Sequence, residues 1–165
     1  MNRLLPFRAP PAGASDPCFD LSDLLGEVVQ AQEFERPDCM IPIHVDSPPY
    51  VMVHADRERL RQVFTDLLVA HREGQPAGSE VLITVYYEKA EVEVEIEMLA
   101  GGAEGSLFRK GDADMRIPFW ISKIHHWLAL EGASLRVEER AHGGSAYLIQ
   151  IPRPRGSGTN ARQAA

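Results

Sequence analysis

Six histidines, two cysteines and a large set of carboxylates are the groups in this 165-residue chain that could do chemistry, and few stand at a spacing that would let them. His125 and His126 are adjacent. On a helix such neighbours diverge by about 100°, so they do not grip one metal ion together. His44 and His54 fall on different predicted strands and could approach one another, but they lack Cys or carboxylate companions at ligand spacing, which makes zinc a poor expectation. Cys18 and Cys39 make neither a disulfide framework nor a metal set, and a reduced, cytoplasmic setting fits them best. There is no G-x-S-x-G elbow, no Walker loop and no plausible Cys–His nucleophile. Glu91, Glu93, Glu95 and Glu97 form an acidic row that could meet a basic partner. Because they alternate with Val92, Val94, Ile96 and Met98, they read first as the wet face of a strand. The net charge of −7 argues against nucleic acid as a partner. No run of about 18 apolar residues is available to span a membrane, and the first residues do not read as a signal peptide.

The elements that must position these groups follow from periodicity. Residues 1–19 carry Pro6, Pro10, Pro11 and Pro17 without an apolar period and read as a flexible arm; residues 153–165 read as a disordered tail. Between them, residues 20–152 read as one domain. Asp20 or Ser22 caps a first helix with Leu21, Leu24, Leu25, Val28 and Val29 along one stripe, and Pro37 stops it. Residues 41–45 and 51–54 read as strands, the first an edge because of Pro42. Asp56 caps a second helix through Leu60, Val63, Phe64, Leu67, Leu68 and Ala70. Residues 81–87 and 92–98 are strands, Pro118 opens a third helix, Gly132 ends it, and residues 135–137 and 146–151 close a last hairpin. The order α-ββ-α-ββ-α-ββ predicts a two-layer α/β sandwich with three helices on one face of a mixed sheet.

Four segments in order resemble the ATP-binding domain of histidine kinases, of the GHKL superfamily shared with DNA gyrase. Ala55-Asp56-Arg57-Glu58-Arg59-Leu60-Arg61-Gln62-Val63-Phe64-Thr65-Asp66-Leu67-Leu68 resembles the family helix D-x-x-R-L-x-Q-V-x-x-N-L-L. The strand at residues 92–96, followed by Gly101-Gly102, resembles the approach to the nucleotide loop. Ile121-Ser122-Lys123-Ile124 and Leu130-Glu131-Gly132-Ala133-Ser134-Leu135-Arg136-Val137 resemble the long helix and following strand. Gly143-Gly144-Ser145-Ala146-Tyr147-Leu148-Ile149-Gln150-Ile151-Pro152 resembles the closing hairpin. The resemblance implies a Bergerat-type sheet over about residues 20–152.

It also assigns a degenerate nucleotide cleft. The family's Mg²⁺-binding Asn falls on Ala70, which has no oxygen for a hard cation. The Asn four residues earlier falls on Asp66, which would be catalytic only if the domain were an active ATPase. The Asp that bonds adenine falls on Met98, which cannot accept a strong hydrogen bond. Ala100 takes the first loop glycine and Gly102 keeps the second. Arg116 and Pro118 stand near the glycines where backbone N–H groups would meet phosphate, and Phe119 and Trp120 follow as candidate interface anchors. His71 and Pro76 have the spacing of the family's phosphoacceptor motif, but they lack its acid and fall inside this module, so the match reads as coincidence. No phosphoacceptor domain is expected within the chain.

The expectation is therefore a non-catalytic, pseudo-ATPase signalling module with no cofactor. Its partner would be a phosphoacceptor domain, a response regulator or a second copy of the chain. The alternatives are an active ATP- and Mg²⁺-binding kinase, including an anti-sigma-type serine kinase, or a purely structural dimerisation domain.

Overall fold

The computed structural model describes residues 18–35, 41–72, 75, 78–87, 90–99, 119–140 and 145–154. The elements are β1 (Cys18–Asp20), α1 (Leu21–Glu35), β2 (Ile43–Asp46), β3 (Met52–His54), α2 (Arg57–Arg72), β4 (Glu80–Tyr87), β5 (Glu91–Leu99), α3 (Phe119–Leu130), β6 (Ser134–Glu139) and β7 (Ser145–Pro152). Five strands form one mixed sheet in the order β2-β4-β5-β7-β6, with β2 parallel to β4 and the other pairs antiparallel. β3 does not join it. It pairs with β1 as a separate antiparallel ribbon, Phe19 against Val53. The first described strand thus begins inside the stretch that reads as an arm.

Local chemistry sets the helix ends. The Asp20 carboxylate accepts from the backbone N–H of Ser22 at 2.9 Å and from that of Val51 at 3.1 Å, so one side chain caps α1 and ties it to the residue that leads into β3. Asp56 caps α2 by accepting from the Arg59 N–H at 3.0 Å. Gly132 ends α3 at φ 68°, with Gly132 N–H to Ala129 C=O at 3.1 Å and Ala133 N–H to Leu128 C=O at 2.9 Å. This is a Schellman stop, which needs the left-handed backbone that glycine adopts without a Cβ penalty.

Alternation along the strands separates two faces. Val81, Ile83 and Val85 align with Met98, Ile96 and Val94, and Ile96, Val94 and Val92 with Tyr147, Ile149 and Ile151. With Leu24, Leu25, Phe64, Leu67, Leu68, Ile124 and Leu128 from the helices they form a single core. Glu27 of α1 holds Arg57 and Arg61 of α2 at 2.6 Å each along the helix seam, and these guanidinium groups, Arg57 first, lower its carboxyl below the usual range. The other sheet face carries Glu93, Glu95 and Glu97. Arg140 pairs with Glu95, with Glu97 at 3.5 Å and with Glu138 at 3.6 Å, while Arg136 reaches Glu93 at 3.4 Å. Leu148, in register between Arg136 and Glu95, is buried on this face. No helix among the described residues is long and apolar enough to cross a membrane.

Candidate functional site

Of the predicted cleft residues, the structure describes Asp66 and Ala70 on α2 and Met98 near the end of β5. Asp66 faces α3 from the middle of α2. Its carboxylate accepts from Gln62 Nε2 at 2.7 Å, one turn earlier, and from Lys123 Nζ at 3.3 Å. Lys123 lies in turn over the Trp127 ring, 4.2 Å from its centroid. The ion pair is about a third exposed on both sides, so its worth in stability is modest. Its geometric effect is larger, because it spans the gap between the two helices with a carboxylate already engaged.

One turn beyond Asp66, Ala70 presents a methyl group, and His71 follows it. His71 is 6% exposed and sits at 4.8 Å, tilted by 54°, on the ring of Tyr147 from β7. Trp120 meets the same Tyr147 edge-on at 6.2 Å and packs against the core. Three rings from α2, α3 and β7 thus stack at this end of the cleft. Burial pushes the His71 imidazole down to about 4 and the Tyr147 phenol up. Among the described residues no hydrogen-bond partner reaches the buried His71 Nε2, which suits a neutral ring.

Met98 stands opposite Val81 on the core face of β5 and packs onto the core. Glu97 points to the other face, toward Arg140, as the strand period requires. Gly102, Arg116 and Pro118 lie outside the described residues. Phe119 opens α3. At the far end of the helix pair, Glu131 accepts from the Asp56 N–H at 2.7 Å and from the Arg59 guanidinium, joining the start of α2 to the end of α3.

The other described histidines do not assemble. His44 reaches Glu80 at 3.4 Å, His54 lies 3.6 Å from the Cys18 thiol in the other sheet, and His125 and His126 are exposed on α3. No group of three or more metal-ligating side chains occurs among the described residues. Sequence reasoning missed the packing of His71 on Tyr147. The signal was present: residue 71 extends the stripe of Phe64, Leu67 and Leu68 by one helical turn.

No family model and no curated protein matches the chain. Solved structures do. The catalytic domain of histidine kinase ThkA superposes with a TM-score of 0.66 at 21% identity, covering 82% of this chain and 95% of that one. The chain has the fold of a histidine kinase catalytic domain. The ATP-binding domain of PrrB from Mycobacterium tuberculosis gives a TM-score of 0.65 at 18% identity over 84% of this chain and 97% of that one. A third similar structure is ThkA in complex with the response regulator protein TrrA, with a TM-score of 0.68 at 20% identity over 83% of this chain and 41% of that one. Three helices over a mixed five-stranded sheet is the shared architecture, and it places the α2–α3 gap of this chain within a histidine kinase-like domain.

Proposed function

We propose that this chain is a non-catalytic histidine kinase-like domain that acts as a protein-interaction module in two-component or related signalling. The observation that carries this reading is the state of the α2–α3 gap. Ala70 offers no oxygen to Mg²⁺. The carboxylate one turn earlier on α2, Asp66, is held by Gln62 and Lys123. Met98 is packed on the core in place of the adenine-binding Asp that the resemblance assigns there. His71, Trp120 and Tyr147 occupy the neighbouring space. These residues do not fit ATP and Mg²⁺, and no phosphoryl-transfer step is derived through them.

A histidine kinase of this fold has been solved with a response regulator bound, which supports a partner of that class or a phosphoacceptor domain. The setting that goes with such a partner is the cytoplasm. The test is thermal unfolding with and without millimolar ATP and Mg²⁺. A ligand that binds only the folded chain raises the melting temperature by mass action. No shift is expected. A rise that disappears on adding a chelator refutes the reading and favours the active-kinase alternative.

A further inference from the structure

The sheet has two outer edges, and they differ. β2 is four residues long and lies between Pro42 and Pro48-Pro49, which blunt it. β6 is six residues long, Ser134–Glu139, with no proline, glycine or lysine. Among the described residues no strand pairs with its outer side. Val137, on the helix-facing side, is 48% exposed. Above this edge runs α3, whose exposed residues are Ser122, His125, His126, Ala129 and Leu130, with no Asp, Glu, Lys or Arg among them. Lys123 turns toward Asp66 on α2. His125 and Ala129, four residues apart and both exposed, therefore line the opposite flank of α3. α1, the other outer helix, exposes Asp23, Glu27, Glu33 and Glu35. A proline-free strand edge and a helix flank without charged side chains coincide on one side of the molecule.

We infer that this side is a two-fold interface with a second copy of the chain, in which the β6 strands pair antiparallel and the two sheets become one. The sequence of β6 selects the register. With both helix layers on the same side of the joined sheet, residues opposite one another must share a face, so the alignment moves in steps of two. Setting Val137 against Val137 places each Arg136 opposite the other copy's Glu138. A shift of two residues one way sets Arg136 against Arg136, and the other way Glu138 against Glu138. Like charges directly opposed are unfavourable, and opposite charges contribute. Only the Val137-centred register is self-complementary. Arg136 and Glu138 are both on the open face, 55% and 42% exposed, with contacts of 3.4 Å to Glu93 and 3.6 Å to Arg140 that leave room for a second partner. An isologous contact of this kind closes on itself, as most homodimers do.

Sedimentation of the full chain over a concentration series tests this, and the result does not depend on whether the cleft holds nucleotide. Wild type should reach twice the monomer mass. Arg136→Glu alone and Glu138→Arg alone should each weaken the dimer at least tenfold, since each opposes like charges twice. Mixing these two variants should restore it as a heterodimer, and so should the double exchange in one chain. Circular dichroism checks that each variant is folded. A wild type that stays monomeric to submillimolar concentration overturns the proposal. So does a dimer that ignores both single charge reversals, because it would then use another surface.

Discussion

At the scale of single residues, the packing of His71 has a pH consequence. Its ring is buried against Tyr147 and held to the neutral form, with its titration lowered from the ordinary 6.5 to about 4. The sign of the pH effect follows. Below pH 6.5 the unfolded chain binds a proton that the folded ring refuses until about pH 4, so stability present above 6.5 is lost as pH falls through that window. The loss is on the order of 3 kcal/mol. Urea unfolding of wild type at pH 7 and pH 4.5, beside His71→Phe, should show a steeper acid loss in wild type than in the variant; equal slopes would mean the ring is solvated. Neither this ring stack nor the Asp66–Lys123 pair was legible as a contact in the sequence. Asp66 and Lys123 stand 57 residues apart, and which residues meet across two helices depends on how the helices are rotated on the sheet. What could be read were the residue types: alanine and methionine lack the oxygen atoms that Mg²⁺ and adenine require, wherever they point.

At the scale of elements, the sequence was most readable where a backbone rule acts locally. Asp20, Asp56 and Gly132 end or begin helices as their chemistry demands. Gly132→Ala should cost about 1 kcal/mol, because a Cβ disfavours φ 68° even though the nearest atom it would meet, Pro152 Cγ, is at an ordinary 3.9 Å. Thermal denaturation would measure it, and an unchanged midpoint would mean the stop can rearrange. Less legible was the destination of short strands. Residues 51–54 read as a strand with no partner assigned, and Met52–His54 pairs with Cys18–Asp20 apart from the main sheet. Alternation over three residues identifies an extended segment but carries no information about its neighbour. The short partner hid behind a proline-rich stretch without periodicity of its own.

At the scale of the molecule, the layers follow from arithmetic on faces. Three amphipathic helices can cover one side of a five-stranded sheet, and the alternating glutamates declare the other side wet. Phe64, fully buried from α2 in the shared core, joins both layers. Phe64→Ala should cost about 3–5 kcal/mol in urea unfolding while leaving one cooperative transition. A much smaller loss, or two transitions, would mean that the layers unfold separately. The fastening of α2 to α3 extends this argument. Glu131 clasps the helices at one end, Asp66 and Lys123 bridge them midway, and the rings of His71, Tyr147 and Trp120 wedge them at the other. A helix pair riveted at three points along its length has no play between its members, so a partner docking on these two helices meets one fixed shape, and a message carried there would lie in whether the partner is held rather than in how the helices bend.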